Sequence, residues 1–119
     1  MIEKINISEV KPKESSCGLL KELYNSENLS ISHIVVLKEG EKHMHKKMEE
    51  VYYVENGEGG VVIGNKTLYI KKGDIIPIPK NTWHYLKKTG KESLEVLVIT
   101  HPRYDPDDLI FENSKRKNY

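Results

Sequence analysis

The chain has 119 residues, a length that favours one domain, and 19 basic residues against 18 acidic ones leave a net charge of only +1. That balance gives no global field, and no long basic stripe appears before the tail, so no nucleic-acid partner is expected. Hydrophobic content is 37%, gathered into short runs of Val, Ile and Leu that fit a small core made of strands. No apolar run approaches the ~20 residues of a membrane helix. The N-terminal "MIEKINISEV" lacks the apolar stretch of a signal peptide, and the lone Cys17 cannot form an internal disulfide, so a cytoplasmic location is expected.

In chain order, "CGLLKELY" (17–24) reads as a first strand and "NSEN" (25–28) as a turn by composition. "LSISHIVVL" (29–37) alternates and then becomes apolar on both faces, the pattern of a strand entering a buried environment. "KEGEK" (38–42) is a loop, and "EVYYVEN" (50–56) is β-branched and aromatic, hence strand. Gly57, Gly59 and Gly60 mark a turn. "VVIGNKTLYI" (61–70) is a hairpin whose loop, Gly64-Asn65, suits a type II′ turn. The prolines of "IIPIP" (75–79) keep that strand out of the middle of a sheet ladder. "WHYLKK" (83–88) and "LEVLVIT" (94–100) are strands around a turn. Short strands spaced by turn signals, without βα alternation, predict an all-β sandwich or barrel. In "HPRYDPDDLIF" (101–111), Pro106 at a first helical turn permits one short C-terminal helix. Residues 1–111 then form the domain and 112–119 a polar, basic, frayed tail.

The chemistry concentrates in two places. His43 and His45, two apart, point the same way if the backbone there is extended. Two neutral imidazoles converging on one spot suit a metal ion, and Glu50 follows five residues later. The second place is "GDIIPIPKNTWH" (73–84), which carries His84 between Trp83 and Tyr85. His33 sits within a strand and His101 after the last one. Either reads most simply as a histidine of the fold or the loop.

Together these segments resemble the cupin superfamily. Its first motif, with a glycine, His-x-His, a glutamate and a second glycine, falls on Gly40, His43, His45, Glu50 and Gly57. Its second motif falls on Gly73, Pro79, Asn81 and His84, with Asn81 where glycine is usual. Asn tolerates the left-handed backbone that this turn requires. The six-residue gap to Gly57 selects Glu50 over its neighbour Glu49.

The resemblance implies an all-β jelly-roll barrel with a metal held inside by His43, His45, Glu50 and His84. Three nitrogens and one hard oxygen suit Mn, Fe(II), Co, Ni or Zn. Alternation from Glu50 turns Tyr52 and Val54 inward, making Tyr52 an acid–base candidate or a plain cavity wall. The same alternation turns Thr82 and Leu86 inward and Trp83 and Tyr85 outward. With Tyr53, these aromatics are expected to be covered by a second subunit of a homodimer, or else by the N-terminal segment. The mannose-6-phosphate isomerase-like branch of small cupins implies a sugar or sugar-phosphate isomerase acting on a small-molecule substrate. An Fe(II)-type dioxygenase and a non-catalytic module that binds a metal or small ligand are the alternatives.

Overall fold

A computed structural model describes residues 3–112; residues 113–119 of the expected tail lie outside the described residues. The described residues form eleven strands, all antiparallel, in two sheets. The six-stranded sheet has the order β1 (Lys13–Ser15), β2 (Gly18–Asn25), β3 (Ser30–Val36), β10 (Leu94–His101), β5 (Glu49–Asn56), β8 (Ile75–Ile78). The five-stranded sheet has the order β11 (Ile110–Phe111), β4 (His43–Met44), β9 (His84–Lys88), β6 (Glu58–Ile63), β7 (Lys66–Lys71). This is the jelly-roll architecture expected from the sequence. Among the described residues no helix is long and apolar enough to cross a membrane.

The core is one cluster between the sheets, and strand alternation selects its members. In β5, Glu50, Tyr52 and Val54 are buried while Glu49 and Tyr53 are exposed. In β10, Leu94, Val96, Val98 and Thr100 turn inward, and the register sets Val96 against both Ile34 and Val54. Side chains two apart on neighbouring strands therefore meet on one face.

Turn chemistry agrees with the local residues at three points. Gly64 has φ +60 and Ile63 pairs with Lys66, as a two-residue hairpin loop requires. β8 lies at a sheet edge, so Pro77 removes no ladder bond from a central strand. Asn81 adopts φ 60, and its N–H donates to the His45 carbonyl at 2.7 Å.

The glycine cluster after β5 is different from its sequence reading. Gly57 alone makes the turn, with φ +80. Gly59 and Gly60 are buried inside β6. A Cβ on Gly59 would run into the Lys87 carbonyl oxygen of β9 and lie 2.9 Å from the Leu94 side chain. Close approach of two strands, not a turn, is what requires glycine there. Cys17, read as part of a strand, sits in the turn before β2. The C-terminal helix is a single 3-10 turn, Pro106–Asp108, capped by the Asp105 side chain.

Candidate metal centre

The two sheets bring His43, His45, Glu50 and His84 together as one buried group. His43 lies on β4, directly across from His84 at the start of β9. His45 follows the end of β4, and Glu50 reaches in from β5 of the opposite sheet. The four are nearly closed to solvent, with exposures of 2% for His43, 4% for His45, 7% for Glu50 and 1% for His84. One donor atom from each lies within 4.8 Å of all the others.

Hydrogen bonding decides which ring atoms face inward. His43 Nδ1 contacts the Glu41 carbonyl at 2.6 Å, His45 Nδ1 the Asp108 carbonyl at 2.9 Å, and His84 Nδ1 the Thr82 carbonyl at 2.8 Å. A carbonyl only accepts, so each Nδ1 must carry the proton. In the neutral ring each Nε2 is then a bare lone pair. His45 Nε2 is buried without an aligned hydrogen-bond partner, although Glu50 Oε1 is 3.1 Å away. His84 Nε2 lies 2.9 Å from the same oxygen. With the rings neutral, three Nε2 lone pairs and the Glu50 carboxylate converge on one point as donors. A divalent transition metal fits that donor set, which is rich in nitrogen, has one hard oxygen and no thiolate.

Electrostatics among the four side chains follow from burial and crowding. Burial, then the neighbouring His84, pushes His43 down to about 3. Burial opposes charge on His45, yet Glu50 and Asp108 raise its pKa overall. Burial alone would raise Glu50, but His45 and His84 hold it well below the usual carboxylate range. Tyr52, 2% exposed with its ring 6.3 Å from that of His84, is raised well above its usual value by burial and by the Glu50 charge. It keeps its phenolic proton.

Glu49 is exposed on the outer face of β5. His33 is buried outside the centre, with Nε2 3.2 Å from Glu95 and 3.5 Å from Glu55. His101 is exposed. Trp83 and Tyr85 are half-buried around β9 in the five-stranded sheet, whereas Tyr53 is on the outer face of the six-stranded sheet. The three aromatics therefore belong to different sides of the molecule and do not make one patch. Alternation assigns a face within each strand but not the sheet that the strand joins.

Sequence reasoning missed Asp108, whose carbonyl orients His45. "YDPDDL" carried a turn signal, but no local pattern shows that it reaches a histidine 63 residues away. Cys17 packs against the hydrophobic core cluster and is not one of the four converging groups. That thiol is pushed up to about 12 by burial and by the Glu50 charge, so it is not a reactive thiolate.

An antiparallel jelly roll with a buried three-histidine, one-glutamate cluster defines a barrel that can hold a metal ion. The family model described as "Cupin domain" matches residues 33–100, more than half of the chain, and the chain belongs to that family. An uncharacterized protein of Methanocaldococcus jannaschii is 36% identical over 66 residues, 56% of this chain and 53% of that protein. The match thus spans about half the length of that relative. An uncharacterized protein of Aquifex aeolicus is 29% identical over 103 residues, 85% of this chain and 84% of its own. Among solved structures, Streptomyces PAC13 with uridine superposes with a TM-score of 0.81 at 17% identity, covering 95% of this chain and 92% of that one. Pac13 is described as a nucleoside dehydratase. At that identity the likeness shows the fold alone.

Proposed function

We propose that the domain of residues 1–111 is a divalent-metal-binding cupin acting on a small oxygenated metabolite, in a sugar or sugar-phosphate isomerase-like reaction. The observation that carries this reading is the locking of three Nδ1 atoms by the carbonyls of Glu41, Asp108 and Thr82, which aims three Nε2 atoms at Glu50. His43, His45, Glu50 and His84 would hold the ion. A bound Mn, Fe(II), Co, Ni or Zn supplies Lewis acidity towards the oxygens of a ligand.

The chain's own residues do the rest. Glu50 and the histidines fix the polar wall of the barrel. Ile76 and Ile78, buried beside Tyr52 and Glu50 on β8, keep bulk water from that wall. Aldose–ketose isomerisation moves a proton between neighbouring carbons and another between their oxygens. Tyr52 holds a proton on an inward face and would serve the oxygen side of that exchange. A fold neighbour solved with uridine supports a small polyhydroxylated ligand in such a barrel. Near-complete burial of all four ligands favours the second reading, a non-catalytic metal- or ligand-binding module. An Fe(II) dioxygenase would use the same four side chains.

Incubation of metal-reconstituted protein with aldose and ketose phosphates in D₂O distinguishes these readings. Deuterium entering at the carbon beside the carbonyl, seen by NMR and lost in Tyr52→Phe with metal retained, is expected. No exchange with any of these sugar phosphates would overturn the proton-transfer isomerase form and leave the binding module and the dioxygenase.

We further propose a homodimer formed through the outer face of the six-stranded sheet. There Tyr24 (45% exposed), Tyr53 (38%), Ile75 (65%) and Ile99 (38%) leave an apolar surface in water. Sedimentation at twice the 13.8 kDa chain mass is expected, and a clean monomer mass would defeat this.

A further inference from the structure

We propose that the C-terminal turn is a working part of the metal centre, with Asp108 as a positioning residue that sets His45 and the loop leading to Glu50. The inference rests on the metal-binding reading above. It goes beyond that reading by assigning control of metal affinity to a residue outside both histidine motifs.

β9 holds the histidine segment weakly. β4 is two residues long and pairs with β9 only at His43 and His84. His45 lies past its end. The Asn81 N–H fixes the His45 carbonyl at 2.7 Å, but this does not set the rotation of the imidazole. The Asp108 carbonyl does, by accepting from His45 Nδ1 at 2.9 Å. That bond selects the tautomer and turns Nε2 inward. Outer partners of metal-ligating histidines commonly act in this way.

The Asp108 side chain acts on the next segment. It is 4% exposed, and its carboxylate accepts three consecutive backbone N–H groups. Lys46 donates at 2.8 Å, Lys47 at 2.9 Å and Met48 at 3.0 Å. Successive N–H groups converging on an anion form a nest, and charge-assisted bonds of this kind are the strong ones. Residues 46–48 are most of the connection between His45 and Glu50. One residue therefore fixes a nitrogen ligand by its main chain and the path to the oxygen ligand by its side chain.

The turn itself is anchored on both sides. Asp105 Oδ1 accepts from the Asp107 N–H at 2.9 Å. Beyond it, β11 pairs Ile110 with Met44 and Phe111 with His43. Displacement of Asp108 is thus transmitted to His45, while His43 and His84 keep their own carbonyl partners, Glu41 and Thr82.

The test compares wild type with Asp108→Ala and Asp108→Asn, using zinc as the probe. Zinc affinity, measured by competition with a chromogenic chelator, is expected to fall about 10- to 100-fold in Asp108→Ala. Asp108→Asn keeps one acceptor oxygen and falls less; it carries the reading if the alanine variant does not fold. In ¹⁵N-labelled, zinc-saturated protein, the Nδ1–H signal of His45 is expected to shift or exchange, while those of His43 and His84 stay in place. Unchanged zinc affinity in a folded variant overturns the proposal. Equal disturbance of all three Nδ1–H signals also overturns it, because that is general loosening. A wild type that takes up no zinc is a different result, which overturns the metal reading and this inference with it.

Discussion

Replacing His84 with alanine lowers transition-metal affinity by more than about 100-fold, beyond the range for loss of an outer partner, and leaves the barrel folded. His84 is 1% exposed and supplies one of the three inward Nε2 atoms. It also contacts Glu50 Oε1 at 2.9 Å, so its removal takes away one proposed ligand and the orientation of a second. The strand around it does not depend on the imidazole. Leu86 on the same face is 2% exposed in the core, and the β9 ladder pairs Gly59 with Lys88, Val61 with Leu86 and Ile63 with His84 through the backbone. Circular dichroism of the variant retains the sheet signal, while chelator competition reports the loss of binding. Wild-type affinity in the variant would mean that the ligand set is misassigned.

Metal-free protein loses stability on the acid side of about pH 6.5. His43 has a native pKa of about 3 against 6.5 for an exposed imidazole. Between those values the unfolded chain binds one proton more, so stability falls as pH falls, by about 1.4 kcal/mol per unit. Glu50 is held below its ordinary 4.5, so its contribution is present above 4.5 and is lost as pH drops further, which steepens the slope. His45 is raised above 6.5. Its contribution is complete below 6.5 and is lost as pH rises through the native value, so it leaves the acid slope unchanged. The metal-free protein is therefore most stable near pH 6.5 as far as this cluster decides it. Urea unfolding of chelator-treated protein at pH 6.5, 5.5 and 4.5 is expected to show a total decrease of about 3 kcal/mol, a large part of an ordinary domain's stability. A flat profile would show that His43 is not buried as a neutral ring.

How much of this was legible in the sequence depends on the range of the signal. Period-2 alternation in "EVYYVEN" placed Tyr52 and Val54 inward and Tyr53 outward, because strand geometry is local. Gly64, Asn81 and Pro77 were legible for the same reason, each having its backbone angle or missing donor built into the residue. Gly59 was not, because a missing Cβ can serve either a positive φ or a close neighbour, and the neighbour here is Lys87 of another strand. β4 and β11 are two residues each, too short to show a period. The sequence places Asp108 only within a short C-terminal helix. Its partners lie 60 to 63 residues away, and only the packed fold brings them to it. The four inward donors came from the resemblance to the cupin motifs, but the device that orients them, a backbone carbonyl on each Nδ1, carries no residue signature at all.

Metal content, measured by elemental analysis on protein purified without added metal and again after reconstitution with Mn, Fe(II), Co, Ni or Zn, tests the four-ligand centre most directly. About one equivalent per chain, lost in His84→Ala, is predicted from the donor set. Less than about one-tenth of an equivalent of every one of these metals after reconstitution would contradict a centre built from His43, His45, Glu50 and His84.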